Sequence, residues 1–311
     1  MRRTLLMIGL ALALAGAGTA RADKTCQMQE IGELPVSVGD GVSAEASVNG
    51  RLVRMIVDTS SFATLLTPPT ARRLGLEPHR FKGVELYRVG GDDEGDLARI
   101  ETFGIGDRVA RDYHMLISDR HDLVGADGLL GSFFLLQTDV EFDLPEGKVR
   151  FFKPRDCQGD QVVYWGKAYS VAPMVNANKR KIEVSVLLNG KPTLAEMDTG
   201  AGASVVSPDG AAVAGVTPAS DGVSGADPLH ATGPQEVTSF TGVFSTFAFG
   251  DETIRNARLR IADLFNNERD AQFSSYIGAT VYEEPRMRLG ADFFRSHRVY
   301  VSMGQRKVYV S

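Results

Sequence analysis

The sequence predicts a mostly β protein built from two homologous lobes that a pseudo-twofold axis relates. Three observations lead to this prediction: a short motif occurs twice, further matches share its offset, and a hairpin signal precedes each copy. Of the 311 residues, 43% are hydrophobic and 23% are charged, which is an ordinary globular balance. The 33 glycines favour turn-rich β structure over a helical bundle.

The repeated motif reads VDTSSFATLLTP at residues 57–68 and MDTGAGASVVSP at residues 197–208. Its two aspartates, Asp58 and Asp198, are 140 residues apart (198 − 58), and Asn49 and Asn189, each followed by glycine, match at the same offset. Asn-Gly between β-prone stretches is the strongest short hairpin signal. We therefore expect each aspartate to follow the returning strand of a hairpin, in a loop of small residues.

The duplication continues downstream at a different offset, as loop insertions would require. FGIGD at 103–107 matches FAFGD at 247–251, LGSFF at 130–134 matches LGADF at 289–293, and KVRF at 148–151 matches KVYV at 307–310. These matches predict a first lobe over residues 30–154 and a second lobe over residues 168–311. The polar segment 155–167 is the expected connector.

Residues 1–22 have the pattern of a secretory signal peptide, because two arginines precede an apolar run and Ala20-Arg21-Ala22 offers the small residues of a cleavage site. The alternative is a membrane anchor, but the run is shorter than the roughly 20 residues that a spanning helix needs. We expect an exported protein, periplasmic or secreted, with no membrane span after cleavage. The formal net charge of −5 and the lack of a long basic run argue against a nucleic-acid partner.

The chain has two cysteines, Cys26 and Cys157, and export favours a disulfide between them. Two separate buried thiols are the alternative. The five histidines are scattered without the spacing of metal ligands, so we expect no metal and no cofactor.

Pseudo-twofold symmetry can bring two equivalent aspartates together on the axis between the lobes. Two carboxyl groups at close range share a proton, because they cannot both ionise easily. Such a pair can hold a water molecule, remove its proton with one carboxylate and protonate the carbonyl oxygen under attack with the other carboxyl group.

The doubled motif resembles the retropepsin-like and pepsin-like aspartic proteases in their two-lobed, single-chain form. Asp-Thr-Gly-Ala at 198–201 is similar to the retropepsin motif, and the apolar-apolar-Gly segments at 129–131 and 289–290 are similar to those beneath each catalytic loop. The resemblance covers nearly all of the mature chain. It implies two retropepsin-like lobes, a peptide or protein substrate and a monomer.

The resemblance also implies site residues. Asp58 and Asp198 would be the catalytic dyad, and Thr59 and Thr199 would form hydrogen bonds between the lobes. The other expected members of the catalytic loops are Ser60, Ser61, Gly200 and Ala201. The flaps, loops that cover a bound substrate, would lie near Gly90 and Gly91 in the first lobe and near Val223 and Gly225 in the second.

Three positions depart from the pattern. Ser60 replaces a glycine, which would strain the loop if the site needs an unusual backbone angle or a close approach. Glu196 and Arg288 stand where the first lobe has Ile56 and Leu129. We expect these two charges to form a salt bridge with an N–O distance of about 2.7 to 3.2 Å. The alternative is that both side chains point to solvent.

The function predicted from the sequence is that of an exported aspartic endopeptidase. The alternative is a protease-like protein that binds peptides but is catalytically impaired, with Ser60 as the lesion.

Overall fold

The structure is a computed structural model that describes residues 25–39, 41–86, 93–118, 123, 125–166, 168–175, 181–230, 236–263 and 284–311. The expected signal peptide at 1–22 and the flap candidates Gly90 and Gly91 lie outside the described residues.

The described part of the first lobe contains ten strands and two short α-helices. The strands are β1 (Gln27–Val38), β2 (Val42–Val48), β3 (Arg51–Val57), β4 (Leu65–Leu66), β5 (His79–Leu86), β6 (Asp93–Ile105), β7 (Arg108–Ile117), β8 (Gly128–Leu130), β9 (Asp139–Asp143) and β10 (Lys148–Arg155). The helices are α1 (Pro68–Leu74) and α2 (Ser132–Leu135), and a 3₁₀ turn spans Leu144–Glu146.

The second lobe repeats this order of elements over its described residues, after a 3₁₀ turn at Gly159–Val162. Its strands are β11 (Ser170–Val175), β12 (Glu183–Leu188), β13 (Lys191–Met197), β14 (Val205–Val206), β15 (Ser224–His230), β16 (Glu236–Phe249), β17 (Glu252–Ala262), β18 (Met287–Leu289), β19 (Val299–Ser302) and β20 (Lys307–Val310). Its helices are α3 (Pro208–Val213) and α4 (Ala291–Ser296).

Six strands close into a small barrel in each lobe. In the first lobe the order around the barrel is β2, β3, β8, β4, β7 and β6, with β6 pairing back to β2. In the second lobe it is β12, β13, β18, β14, β17 and β16, with β16 pairing back to β12. The strand that leads to each aspartate, β3 or β13, pairs in parallel with the apolar-apolar-Gly strand, β8 or β18.

A six-stranded antiparallel sheet joins the two lobes, in the order β1, β10, β9, β19, β20, β11. Each lobe contributes three equivalent strands, so a pseudo-twofold axis passes between β9 and β19. At this centre Phe142 pairs with Val299 and Val140 pairs with Val301, and all four are fully buried. The predicted fold class is confirmed.

The polar connector contributes to the core. Val162, in its 3₁₀ turn, is fully buried in one cluster with Phe152, Tyr300 and Tyr309, which come from both lobes. Burying such side chains contributes about 1.5 to 3 kcal/mol each. The connector therefore holds the joining sheet on one side.

A disulfide joins Cys26 to Cys157, with the two Cα atoms 4.3 Å apart. It links the residues just before β1 and just after β10, at the outer edge of the joining sheet. The predicted pairing is confirmed. No helix within the described ranges is long and apolar enough to cross a membrane.

Candidate active site

Asp58 and Asp198 follow directly after β3 and β13. The backbone N–H of Asp58 donates to Leu130 O at 3.0 Å, and that of Asp198 donates to Leu289 O at 2.8 Å. Both carbonyls belong to the apolar-apolar-Gly strands, so each aspartate loop is fixed to the strand beneath it. The glycine that ends each segment is required, because a Cβ on Gly131 would lie 2.3 Å from the backbone of the loop above.

Two threonines lock the loops together across the lobe boundary. Thr59 N donates to Thr199 Oγ1 at 3.2 Å, and Thr199 N donates to Thr59 Oγ1 at 3.1 Å. Each hydroxyl in turn donates to the opposite lobe, Thr59 to Met197 O and Thr199 to Val57 O, both at 2.7 Å. Both threonines are fully buried, so these four bonds are shielded from water.

We expect the variant Thr199→Val to lower the free energy of unfolding by about 2 to 4 kcal/mol, because it leaves two buried backbone groups without their partners. Valine matches threonine in shape, so a packing defect would not account for the loss. Urea unfolding at fixed pH measures the change. Thr199→Ser keeps the hydroxyl and is expected to retain most of the stability. Equal losses in the two variants would contradict the role of the hydrogen bonds.

The two carboxyl groups are buried and face inward, Asp58 being 5% exposed and Asp198 3% exposed. Asp58 Oδ1 accepts from the backbone N–H groups of Ser60 and Ser61, both at 2.9 Å. Asp198 Oδ1 accepts from those of Gly200 at 2.9 Å and Ala201 at 3.2 Å. One oxygen of each aspartate is therefore held by its own loop.

The loop of the second lobe lies directly against the carboxyl group of the first. A Cβ added to Gly200 would lie 2.7 Å from Asp58 Cγ, so only glycine allows this approach without a shift. The structure thus brings together both aspartates, both threonines and the loop residues that the sequence pointed to.

Ser60 does not strain its loop through the backbone angle. The described non-glycine residues with positive φ are Asn49, Asp112, Asp156, Asn189, Asn256 and Arg306. The side chain of Ser60 instead adds a donor, because its hydroxyl bonds to Asp58 Oδ1 at 2.8 Å. The residue type predicted a possible cost of the serine Cβ but not this hydrogen bond of its hydroxyl.

Burial and the neighbouring charge of Asp58 raise the pKa of Asp198 to about 7. Glu196 acts in the same direction, while Arg288 and the Gly200 N–H lower the pKa. A carboxyl group that keeps its proton to near-neutral pH, beside a second aspartate, can act as a general acid.

Glu196 and Arg288 lie side by side in the register of β13 and β18, where Glu196 is buried and the Arg288 side chain is 11% exposed. The two side chains form an ion pair, but its N–O distance is longer than expected, since Arg288 Nε lies 3.8 Å from Glu196 Oε2. The guanidinium is shared, because Arg288 Nη1 also lies 3.8 Å from Asp198 Oδ2. Lys181 Nζ is closer to Glu196, at 3.0 Å from Oε1, and no sequence motif predicted that contact.

The flap candidates of the second lobe, Val223 and Gly225, lie where β15 begins. β15 and β16 form a hairpin, and Gly225 pairs with Phe240. These two residues are at the start of β15, far along the strand from the His230–Glu236 pair, and residues 231–235 lie outside the described residues. Within the described ranges, no group of three or more His, Cys, Asp or Glu side chains is arranged to hold a metal ion.

Two barrels on a shared sheet, with paired Asp-Thr loops at their junction, form the two-lobed fold that the sequence resemblance implied. The family model of the gag-polyprotein putative aspartyl protease matches residues 44–137. Among solved structures, an aspartic proteinase from Irpex lacteus matches with a TM-score of 0.55 and 14% identity, over 90% of this chain and 96% of that chain. No curated protein matches in sequence. The match in the first lobe and the shared fold support an aspartic protease family, as the sequence predicted.

Proposed function

We propose that this protein is an exported aspartic endopeptidase that hydrolyses peptide bonds with a water molecule activated between Asp58 and Asp198. The observation that carries the proposal is the set of four hydrogen bonds made by Thr59 and Thr199. This set holds the two aspartate loops against each other across the lobe boundary. Its geometry fixes the relative position of the two carboxyl groups before any substrate binds, as catalysis by preorganised groups requires.

The reaction needs one proton on the pair. The ionised carboxylate takes a proton from the water as its oxygen attacks the peptide carbonyl, and the protonated carboxyl group gives its proton to the carbonyl oxygen. The tetrahedral intermediate then collapses, a proton passes to the amide nitrogen, and the C–N bond breaks. The atoms balance without a metal or a covalent intermediate.

The proposal includes export. A disulfide persists in an oxidising compartment, and the bridge between Cys26 and Cys157 agrees with the signal-peptide pattern of residues 1–22. The periplasm and the extracellular space both satisfy this condition.

Incubation of the full chain, produced with its own leader and unreduced, with a mixture of unstructured peptides tests the proposal. Mass spectrometry of the products is expected to show cleavage at internal bonds and inhibition by pepstatin. The rate should fall as the pH rises through about 7, because Asp198, whose pKa burial raises to about 7, then loses its proton. Absence of both cleavage and peptide binding from pH 3 to 8 would overturn the proposal.

Ser60 motivates the alternative, a protein that binds peptides without cleaving them. The variant Ser60→Gly separates the two functions. An active wild type is expected to keep cleavage when the serine is replaced. An inactive wild type that binds peptides and gains cleavage with glycine would favour the binding function.

A further inference from the structure

A cluster of charged side chains lies directly behind Asp198. We define this charged cluster as Lys181, Glu183, Glu196 and Arg288. Glu183 and Glu196 are directly opposite in the register of β12 and β13 and are 1% and 0% exposed. Arg288 is opposite Glu196 on the other side, across the parallel pair β13 and β18, and its side chain is 11% exposed. Four charges are thus concentrated in one layer of the second barrel.

The first lobe has uncharged residues at the equivalent positions. Ser43 and Leu129 flank Ile56 in the same registers. Leu129 is buried in a small cluster with Leu65 and Leu116. The first barrel therefore has a serine and two aliphatic side chains beneath its aspartate, while the second barrel buries two carboxyl groups there. Replacing hydrocarbon by buried ions gains little stability, because desolvation offsets the attraction between them.

The charged cluster reaches the dyad through Arg288. Its Nη1 lies 3.8 Å from Asp198 Oδ2 and its Nε lies 3.8 Å from Glu196 Oε2. Asp198 Oδ1 already accepts two backbone N–H groups, from Gly200 and Ala201, so Arg288 is directed at the oxygen that the loop does not hold. A cation at this distance in a poorly solvated layer interacts strongly with a carboxylate.

We propose that Arg288 is a positioning residue for the carboxyl group of Asp198. From its place on β18 it sets the upper pH limit of cleavage. This inference rests on the proposed function of the dyad. The charges that face Asp198 are Asp58 from the opposite loop, Glu196 from β13 and Arg288 from β18. Asp58 and Glu196 raise the pKa of Asp198, and Arg288 lowers it. Lys181 contacts Glu196, so it acts one layer further from the dyad.

Three variants test the sign of each charge. Arg288→Met is expected to move the alkaline limit of kcat upward by about one pH unit, because an opposite charge nearby shifts a carboxyl pKa by about one unit or more. Glu196→Gln should move it downward. The double replacement Glu196→Ile with Arg288→Leu copies the first lobe and should give a limit between these two. Arg286→Met, at an exposed arginine two residues away that contacts Asp209, is the matched control and should leave the limit unchanged.

A structural role alone would change stability without changing the pH limits in opposite directions. Thermal unfolding of each variant therefore accompanies the pH profiles. An alkaline limit that stays the same in all folded variants, or that moves downward in Arg288→Met, would overturn the inference.

A measurement without substrate separates this inference from the proposed function. The carboxyl ¹³C resonance of Asp198, identified by its loss in Asp198→Asn, can be titrated in the wild type and in Arg288→Met. A titration midpoint that rises in Arg288→Met supports the inference even if no peptide is cleaved. An unchanged midpoint in an active enzyme contradicts the inference and leaves the proposed function intact.

Discussion

Replacing Asp198 with asparagine is expected to lower the rate of peptide cleavage by about 10⁴-fold, because the dyad loses a group that must exchange protons with water and substrate. Asparagine keeps the shape of the side chain, and its amide oxygen can still accept the N–H groups of Gly200 and Ala201. Asp58→Asn is expected to cause a similar loss. Initial rates on one peptide at pH 5 measure both.

The same variant is expected to be at least as stable as the wild type at pH 7. In the folded chain, burial and Asp58 raise the pKa of Asp198 from 3.8 to about 7. The folded state therefore binds more protons than the unfolded state between these values, and stability falls as the pH rises through this window. Asparagine does not ionise, so Asp198→Asn avoids this loss.

Thermal unfolding at pH 3.5 and pH 7 checks the expectation. The advantage of Asp198→Asn should appear at pH 7 and vanish at pH 3.5. Asp209→Asn, at an exposed aspartate of the same lobe, is the control for loss of a carboxyl group and should change neither activity nor the pH dependence of stability. Full cleavage by either dyad variant would refute the proposed mechanism.

Removing the disulfide is the second change with a large expected effect. The double variant Cys26→Ser with Cys157→Ser should lower the free energy of unfolding by about 4 to 5 kcal/mol, because the bridge spans 131 residues and restricts the unfolded chain. Its position also matters, since β1 forms an outer strand of the joining sheet and pairs with β10. Urea unfolding of the oxidised wild type and the double variant measures the difference.

Two comparisons make this test specific. Wild type in reductant should match the double variant, and the double variant should not respond to reductant. A difference below about 1 kcal/mol would show that the unfolded chain gains little freedom when the bridge is removed.

The sequence predicted those features of the site that repeat. The duplicated motif located both aspartates and both threonines, and the family resemblance placed Glu196 and Arg288 on neighbouring strands, as the strand register shows. Features without a counterpart in the other lobe were missed. Lys181 precedes β12 in a segment with no motif, and its contact with Glu196 depends on the path of the chain in space.

The joining sheet and the role of Ser60 were missed for different physical reasons. The pairing of β9 with β19 is a long-range contact between equivalent strands, and local patterns carry no information about which edges meet. The hydroxyl of Ser60 bonds to Asp58 Oδ1 through a choice of side-chain rotamer, which residue type alone does not determine.

The central strand pair of the joining sheet has a consequence for the time at which activity first appears during biosynthesis. Val140 in β9 and Val301 in β19 are 161 residues apart (301 − 140), and ribosomes add about 5 to 20 residues per second. A newly made first lobe therefore waits roughly 10 to 30 s with the edge of β9 uncovered and with the second barrel incomplete, because β18 comes late in the chain. Under the proposed function, a nascent chain would not cleave peptides during that interval, while its open strand edge is a place where a chaperone would need to act.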